Sequence, residues 1–455
     1  MSDDKTIKLI VDRAAPTPDS PPPFSDDYLA LEFAAEHASD LQYVAKFDRW
    51  FHWTGTLWEK EKTYRALDHA RTLCRSLAAD CDDERRRSQI ASAKTIAAVV
   101  TLARTDRRLA AVSEQWDTNP WLLNTPGGVV DLLTGTMRPH NATDYMTKIT
   151  GVAPDAACPI TKWLQFLERV MGGDAEMIAF LKRVAGYCLT GVTHEHAMFF
   201  LYGTGANGKS TFINTIARAC NIYHRTAPME TFTDSKSDRH PTDLAGLHGA
   251  RLVTAIETEE GRGWAESKVK AITGGDPISA RFMRQDFFEF TPQFKLLIAG
   301  NHKPSLRSVD EAIRRRFHLI PFAVTIPPAE RDRQIENKLI PELPGILAWM
   351  IQGCLAYLQL GGLAPPKGVI EATEAHIEAE DPIAAWIEEG CDHDPNSWHT
   401  STELFTSFAV WAQKAGERIG SVKGFSQRLE GRAGIEFQRK KDGRGFRGLR
   451  LRQQY

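Results

Sequence analysis

Apolar residues fall along this chain in two rhythms that take turns. Short unbroken runs at Ala197–Tyr202, Arg251–Gly261, Lys295–Asn301 and the end of Asp310–Phe322 predict buried strands. The stripe Phe212, Ile213, Ile216 and Ala217 predicts an amphipathic helix directly after the first run. Runs alternating with stripes make residues 194–363 an α/β region. Within it, Ile278–Phe294 alternates as a hairpin, and the polar segment Thr231–Asp243 reads as a loop.

The flanks differ. Residues 28–193 read as mostly helical, with stripes at Tyr64–Ala79, Asp83–Ala103, Trp163–Met171 and Asp174–Thr190. A hairpin is expected at Phe47–Lys60, where aromatics alternate around Thr-Gly. Two short strands are expected within Trp121–His140. Trp50, Trp53 and Trp58 read as a small core rather than a base-stacking platform. After Leu363 come an acidic helical stretch (Glu371–Glu389), helices at Ser401–Gly416 and Gly424–Arg432, and two strands around Lys-Asp-Gly-Arg-Gly, a wing-like hairpin filling out 364–455. Residues 1–27 are polar and proline-rich, a composition that buries too little surface to order itself.

Composition narrows the class. The 455 residues suffice for several domains, and 42% hydrophobic with 25% charged residues is the balance of a globular chain. A net charge of −2 means that any nucleic-acid contact must come from local patches. Seven scattered cysteines without a C-x-x-C pair predict reduced thiols and a cytoplasmic setting. No apolar run is expected to reach membrane-spanning length.

The chemistry concentrates where the first strand meets the first helix. Gly203, Thr204, Gly205, Ala206, Asn207, Gly208, Lys209, Ser210 and Thr211 fit G-x-x-x-x-G-K-[ST]. Glycines let backbone N–H groups curl around an anion, and the helix that follows points its positive end at the same anion. Lys209 supplies a mobile charge for β/γ-phosphates, and Ser210 a hydroxyl ligand for Mg2+. Glu257 and Glu259, two apart after the second strand, share a face and suit Mg2+ binding or water polarisation, with Glu257 the metal ligand. Asn301, ending the third strand, is placed to bond the attacking water or the γ-phosphate. Of Arg314, Arg315 and Arg316, the last two are the candidates to reach a neighbouring subunit's γ-phosphate. Arg284 and Gln285 form a basic hairpin tip suited to a phosphate backbone. Lys440, Lys441, Arg444 and Arg447, with Arg439, Arg450 and Arg452, form a basic patch on the last hairpin.

GTGANGKST (Gly203–Thr211), AIETEEG, KAITGGDPISAR (Lys270–Arg281), IAGN (Ile298–Asn301) and AIRRRFHLIPF (Ala312–Phe322), in this order, resemble a superfamily 3 helicase of the phage, plasmid and poxvirus primase–helicase type. WDTNPWLLNTPGGVVDLLTG (Trp116–Gly135) resembles the helical domain that precedes the motor in this family, and the helix–helix–hairpin order of the C-terminus resembles its winged-helix domain. The resemblance implies an AAA+-like parallel-sheet motor, a hexameric ring around single-stranded and forked duplex DNA, and unwinding driven by ATP with Mg2+. It makes Lys209 and Ser210 the phosphate and Mg2+ ligands, Glu257 and Glu259 the Walker B acids, Asn301 the sensor, Arg315 or Arg316 the finger acting in trans, and the Arg284 hairpin the DNA grip. Larger members carry an upstream primase domain for which Met1–Tyr28 leaves no room, so a separate primase would be a partner. An origin-binding initiator that melts DNA without processive unwinding, and a regulator using ATP only as an assembly switch, are the alternatives.

Overall fold

The computed structural model describes residues 21–234, 242–256, 263–283, 286–303, 305–306, 311–416, 419–430, 432–441 and 443–452. The chain divides into two compact units, 1–119 with 138–149, and 120–137 with 150–455.

In the first unit, α1 (Asp26–His37) leads to β1 (Leu41–Val44), β2 (Arg49–Trp53) and β3 (Trp58–Lys60). Then follow α2 (Arg65–Ala79), α3 (Glu84–Ile90), α4 (Ala93–Ala103) and the short β4 (Ala110–Ala111). The sheet order is β3-β2-β1-β4, antiparallel except for β1 with β4. The expected hairpin is β2–β3, with Trp53 opposite Trp58. The helix expected at Asp83–Ala103 is instead two, because Ser92 caps a new start by accepting from the Thr95 N–H. The tryptophans separate. Trp50 joins Leu29, Phe33 and Val99 in the core, whereas Trp58 meets Trp116 edge-on, stacks on Tyr145 and donates to the Ala142 carbonyl at 2.8 Å.

The second unit opens with the hairpin β5 (Leu122–Thr125) and β6 (Gly128–Asp131), and β7 (Met137–Arg138) carries the chain back across the division. On re-entry come α5 (Thr161–Val170), α6 (Ala175–Tyr187), β8 (Met198–Tyr202), α7 (Lys209–Cys220), β9 (His224–Thr226), α8 (Thr242–Ala245), β10 (Leu252–Ile256) and α9 (Glu266–Gly274). β11 (Ile278–Ala280), β12 (Phe288–Phe290), β13 (Lys295–Gly300), α10 (Glu311–Arg314) and β14 (Phe317–Pro321) complete the sheet region. Five strands form one parallel sheet in the order β14-β8-β13-β10-β9. Successive residues of β8 alternate between two cores: Phe199 and Leu201 pack on one side, Met198 and Phe200 on the other. That two-sided burial explains why these strands read as unbroken apolar runs.

α5 and α6 pack into the same core as α7, as does α12 (Leu343–Leu360), which follows α11 (Ile335–Leu339). The compact division therefore falls before α5, not near Thr193 as the residue pattern suggested. The helical run Pro328–Leu360 is long and apolar enough to cross a membrane by length and composition, contrary to the expectation that no run reaches that length. Here 61% of its apolar window is buried inside the protein. α12 lies so close to α6 that their backbones touch. A Cβ on Gly353 would sit 1.9 Å from the Lys182 carbonyl oxygen, and one on Gly186 would sit 2.1 Å from the Cys354 nitrogen. Gly353→Ala should force the helices apart and cost about 3 kcal/mol, the upper part of the usual overpacking range. The check is urea unfolding, and an unchanged midpoint would refute the close approach.

His318 on β14 and His224 on β9 carry a pH dependence. The His318 ring stacks on Phe199 with centroids 5.5 Å apart, and burial holds its pKa down at about 4. His224 shares a 2.7 Å hydrogen bond with the Thr254 hydroxyl. Burial, then the Arg225 charge, brings it also to about 4. In the unfolded chain both titrate near ~6.5, so between the two values the unfolded state binds more protons. Their stability contribution is complete above ~6.5 and is lost as pH falls toward 4, by about 3 kcal/mol for the deeply buried His318 and by less for His224, which solvent partly screens. His318→Phe should flatten this acid limb in urea titrations between pH 7 and 5; a limb of unchanged steepness would count against it.

The remaining chain forms α13 (Lys367–Ala379), α14 (Pro382–Gly390), β15 (Cys391–Thr400), α15 (Ser401–Ala415), α16 (Val422–Leu429), β16 (Glu436–Lys440) and β17 (Gly443–Leu451). The acidic stretch expected as one helix breaks at Asp381, whose carboxylate caps α14. α13 belongs with the parallel sheet, because the Thr373 hydroxyl accepts from Leu319 N–H and Ile377 lies in the sheet's core. From α14 onward a separate core forms around Trp386, Leu404, Phe408, Phe425 and Phe446. There three helices accompany an antiparallel sheet of order β15-β17-β16.

Candidate functional site

β8 ends at Tyr202, and the six residues before α7 make a tight loop at the sheet's C-terminal edge. Its shape depends on missing side chains. A Cβ on Gly203 would lie 2.1 Å from Asn207 Nδ2 and 2.4 Å from the Phe322 carbonyl oxygen. Gly208 adopts φ +88°, where a Cβ would lie 2.5 Å from Val170 and 2.9 Å from Phe166. Ala206 takes the left-handed region at φ +49° although it is not glycine. The segment after β14 holds the loop: Asn207 Nδ2 donates to Phe322 O at 3.0 Å, and Ile326 N–H donates to Ala206 O at 2.9 Å. Among the described residues, no backbone carbonyl accepts from the N–H groups of Thr204 through Ser210. They form a row of open donors at a helix start, the arrangement that attracts an anion.

Lys209 lies in the middle of this arrangement. It is 6% exposed, and burial lowers the pKa of its amine. Its Nζ donates to Gly203 O at 2.7 Å, Asn207 Oδ1 at 3.0 Å and Asn301 Oδ1 at 3.1 Å. Asn301 directly follows β13, the strand hydrogen-bonded to β8, so the sheet brings together two residues that are remote in sequence. The hydroxyl-bearing Ser210 is exposed in the first turn of α7, open to a ligand.

β10 is not the neighbour of β8, as a carboxylate strand beside the loop would require; β13 stands between them. Ile256, its last residue, pairs with Ala299 on the loop's edge of the sheet. Glu257 and Glu259 follow in sequence and lie outside the described residues, as do Arg284 and Gln285. The hairpin expected around the latter pair exists as β11–β12, with Ala280 opposite Phe288. Its exposed flanks are Phe282, Met283 and Phe287, and the Arg281 guanidinium sits 4.7 Å from the Phe287 ring.

The two arginine candidates part company. Arg316 is 8% exposed, and its Nη1 donates to Ala312 O at 2.8 Å. Arg315 is exposed. Both precede β14, whose first residue pairs with Met198 at the start of β8. They therefore sit at the opposite edge of the sheet from the chain's own glycine loop, about 16 Å away at ~3.3 Å per residue.

The basic C-terminal patch also divides. Lys440, Lys441 and Arg444 are exposed on the β16–β17 hairpin, with Lys440 Nζ 4.8 Å from the Trp398 ring. Arg447 instead bonds within its own sheet, donating to the Pro395 carbonyl and, at 3.4 Å, to Asn396 Oδ1. Arg450 and Arg452 pair with Asp392 at 3.3 and 2.9 Å. The Phe322 and Ile326 anchors of the loop had no sequence signal, because they act through backbone atoms.

Comparison with known proteins fits this layout. A family described as "D5 N terminal like" matches residues 30–172, and a family of unknown function (DUF5906) matches residues 201–316. "Putative helicase 022R" of Frog virus 3 (isolate Goorha) is 28% identical over 285 residues, 58% of this chain and 29% of that protein. "Putative helicase L207/L206" of Acanthamoeba polyphaga mimivirus is 25% identical over 232 residues, 50% of this chain and 24% of that protein. The chain thus matches less than a third of the length of these relatives. Among solved structures, the apo C-terminal region of NrS-1 (A form) is similar at TM-score 0.51 and 9% identity, over 93% of this chain and 98% of that one. The fold is a mixed α/β architecture with a parallel sheet, like that region of NrS-1. The chain is therefore similar, over residues 30–172, to the D5 N terminal like family and, over 50–58% of its length, to viral proteins named putative helicases.

Proposed function

We propose that this chain is an ATP-dependent DNA helicase of a phage, plasmid or mobile-element replication system, working as a homo-oligomeric ring, most simply a hexamer. The observation that carries the reading is Lys209. Its buried ammonium joins the glycine loop to Asn301 at the edge of the sheet, beside a row of open N–H donors.

The residues present fit Mg2+–ATP. Gly203–Gly208 and the start of α7 offer N–H groups to the phosphates, Lys209 turns its charge from carbonyl oxygens to the β/γ-phosphates, and Asn301 is left free to orient water. The exposed Ser210 hydroxyl would hold Mg2+ with Glu257, and Glu259 would polarise the attacking water. The metal ion supplies charge neutralisation across the phosphates when bound. Arg315, at the far edge of its own sheet, serves a neighbour's loop. Lys440, Lys441 and Arg444 hold DNA backbone from a winged-helix-like C-terminal body, and the β11–β12 hairpin grips the strand in the channel through Arg284 and Gln285.

The test pairs ATP hydrolysis, with and without single-stranded DNA, with unwinding of a forked duplex. DNA-stimulated turnover with strand separation is expected. Turnover and DNA melting without processive unwinding would replace the helicase by an initiator, and ATP binding without turnover would leave only an assembly switch.

A further inference from the structure

A second cluster of ligand-type side chains lies in the first unit, apart from the chemistry above. α1 ends at His37, which is 7% exposed and packs its ring on Phe33 one turn earlier, with centroids 4.8 Å apart. Asp40 follows in the turn to β1, its Oδ1 3.2 Å from His37 Nδ1. His69 arrives from α2 with its ring centroid 4.4 Å from that of His37. One ligand atom from each of the three lies within 4.8 Å of the other two. The Nε2 of His69 is buried and has no hydrogen-bond partner.

Packing alone accounts poorly for that set. A buried nitrogen without a partner costs roughly 1–3 kcal/mol, and two imidazoles in ring contact gain nothing by becoming charged together. Burial, followed by the nearby His37, lowers the pKa of His69, so its ring is the neutral form that binds metals. Two neutral imidazoles and one carboxylate make a nitrogen- and oxygen-rich donor set suited to Zn2+, with a fourth position for water. Tetrahedral Zn2+ with bonds of ~2.0–2.1 Å needs ligand atoms roughly 3.3 Å apart, so modest side-chain rotations close the cluster.

We propose that His37, Asp40 and His69 form a Zn2+ site that ties the end of α1 and the turn into β1 to α2. It is independent of the nucleotide reading, since it uses no residue of the glycine loop. The experiment is equilibrium dialysis of the chelator-stripped full chain against Zn2+, with metal counted per chain, alongside Co2+ titration followed by visible absorption. Wild type should hold one more Zn2+ than His69→Gln and give the ligand-field bands of a low-coordinate Co2+ site. His69→Gln should weaken binding by roughly 100-fold, the upper end of what losing even an outer-sphere partner costs. His69→Cys, which keeps a ligand, should restore the metal and add sulfur-to-cobalt charge transfer. Equal metal content in wild type and His69→Gln, or no gain in His69→Cys over His69→Gln, would overturn the site. If His69→Gln fails to fold, wild type decides alone, and absence of the Co2+ bands overturns it.

Discussion

Lys209→Ala should reduce ATP turnover by roughly 10²–10³-fold or more, on the scale of removing one preorganised donor from a transition state. The amine is the only side-chain cation described within the loop, and its three acceptors are oxygens that contribute no positive charge of their own. The loop itself should survive, because Asn207 stays fastened to Phe322 O and Ala206 O to Ile326 N–H. Circular dichroism and thermal melts should therefore stay close to wild type while steady-state hydrolysis collapses. Turnover within tenfold of wild type would remove Lys209, and with it the nucleotide assignment of the loop.

Arg315→Ala should cut hydrolysis in the assembled protein by about 10³-fold, the lower end for a guanidinium that acts on phosphoryl transfer. It should do so without changing stability, since the side chain is exposed. Arg316→Ala should do the reverse, destabilising the fold through a lost buried contact to Ala312 O. Mixing Arg315→Ala with Lys209→Ala subunits separates action in cis from action in trans. Some interfaces then combine an intact Lys209 from one copy with an intact Arg315 from the other, and part of the activity should return. A mixture no more active than its components would rule out a shared pocket.

What the residues disclosed depended on how each element is buried. β8, β10, β13 and β14 were legible because both faces of each are covered and, apart from Thr254, Lys295 and His318, their side chains are apolar. β9, reading His-Arg-Thr on the sheet edge, and β15, reading CDHDPNSWHT with a register shift between Asp394 and Trp398, follow no apolar rhythm. Both are held by backbone pairing, which leaves little trace in residue type. Strand order was also invisible, so the interposition of β13 between β8 and β10 came only from the structure. In the site, the glycine loop was legible as a motif, whereas the burial of Arg316 and the bonds of Arg447 to Pro395 and Asn396 were not. Both depend on which neighbour lies in reach, and a run of like residues hides that difference.

The parallel sheet also dictates when the molecule can be finished. Met198 of β8 pairs with Phe317 of β14, and every other strand of that sheet lies between them in the sequence. While the chain is being made, the strand that carries the glycine loop waits with one side bare until Pro321 has left the ribosome. Any shortened version that stops before Phe317 keeps that raw border permanently, with N–H and C=O groups ready to zip onto a second copy.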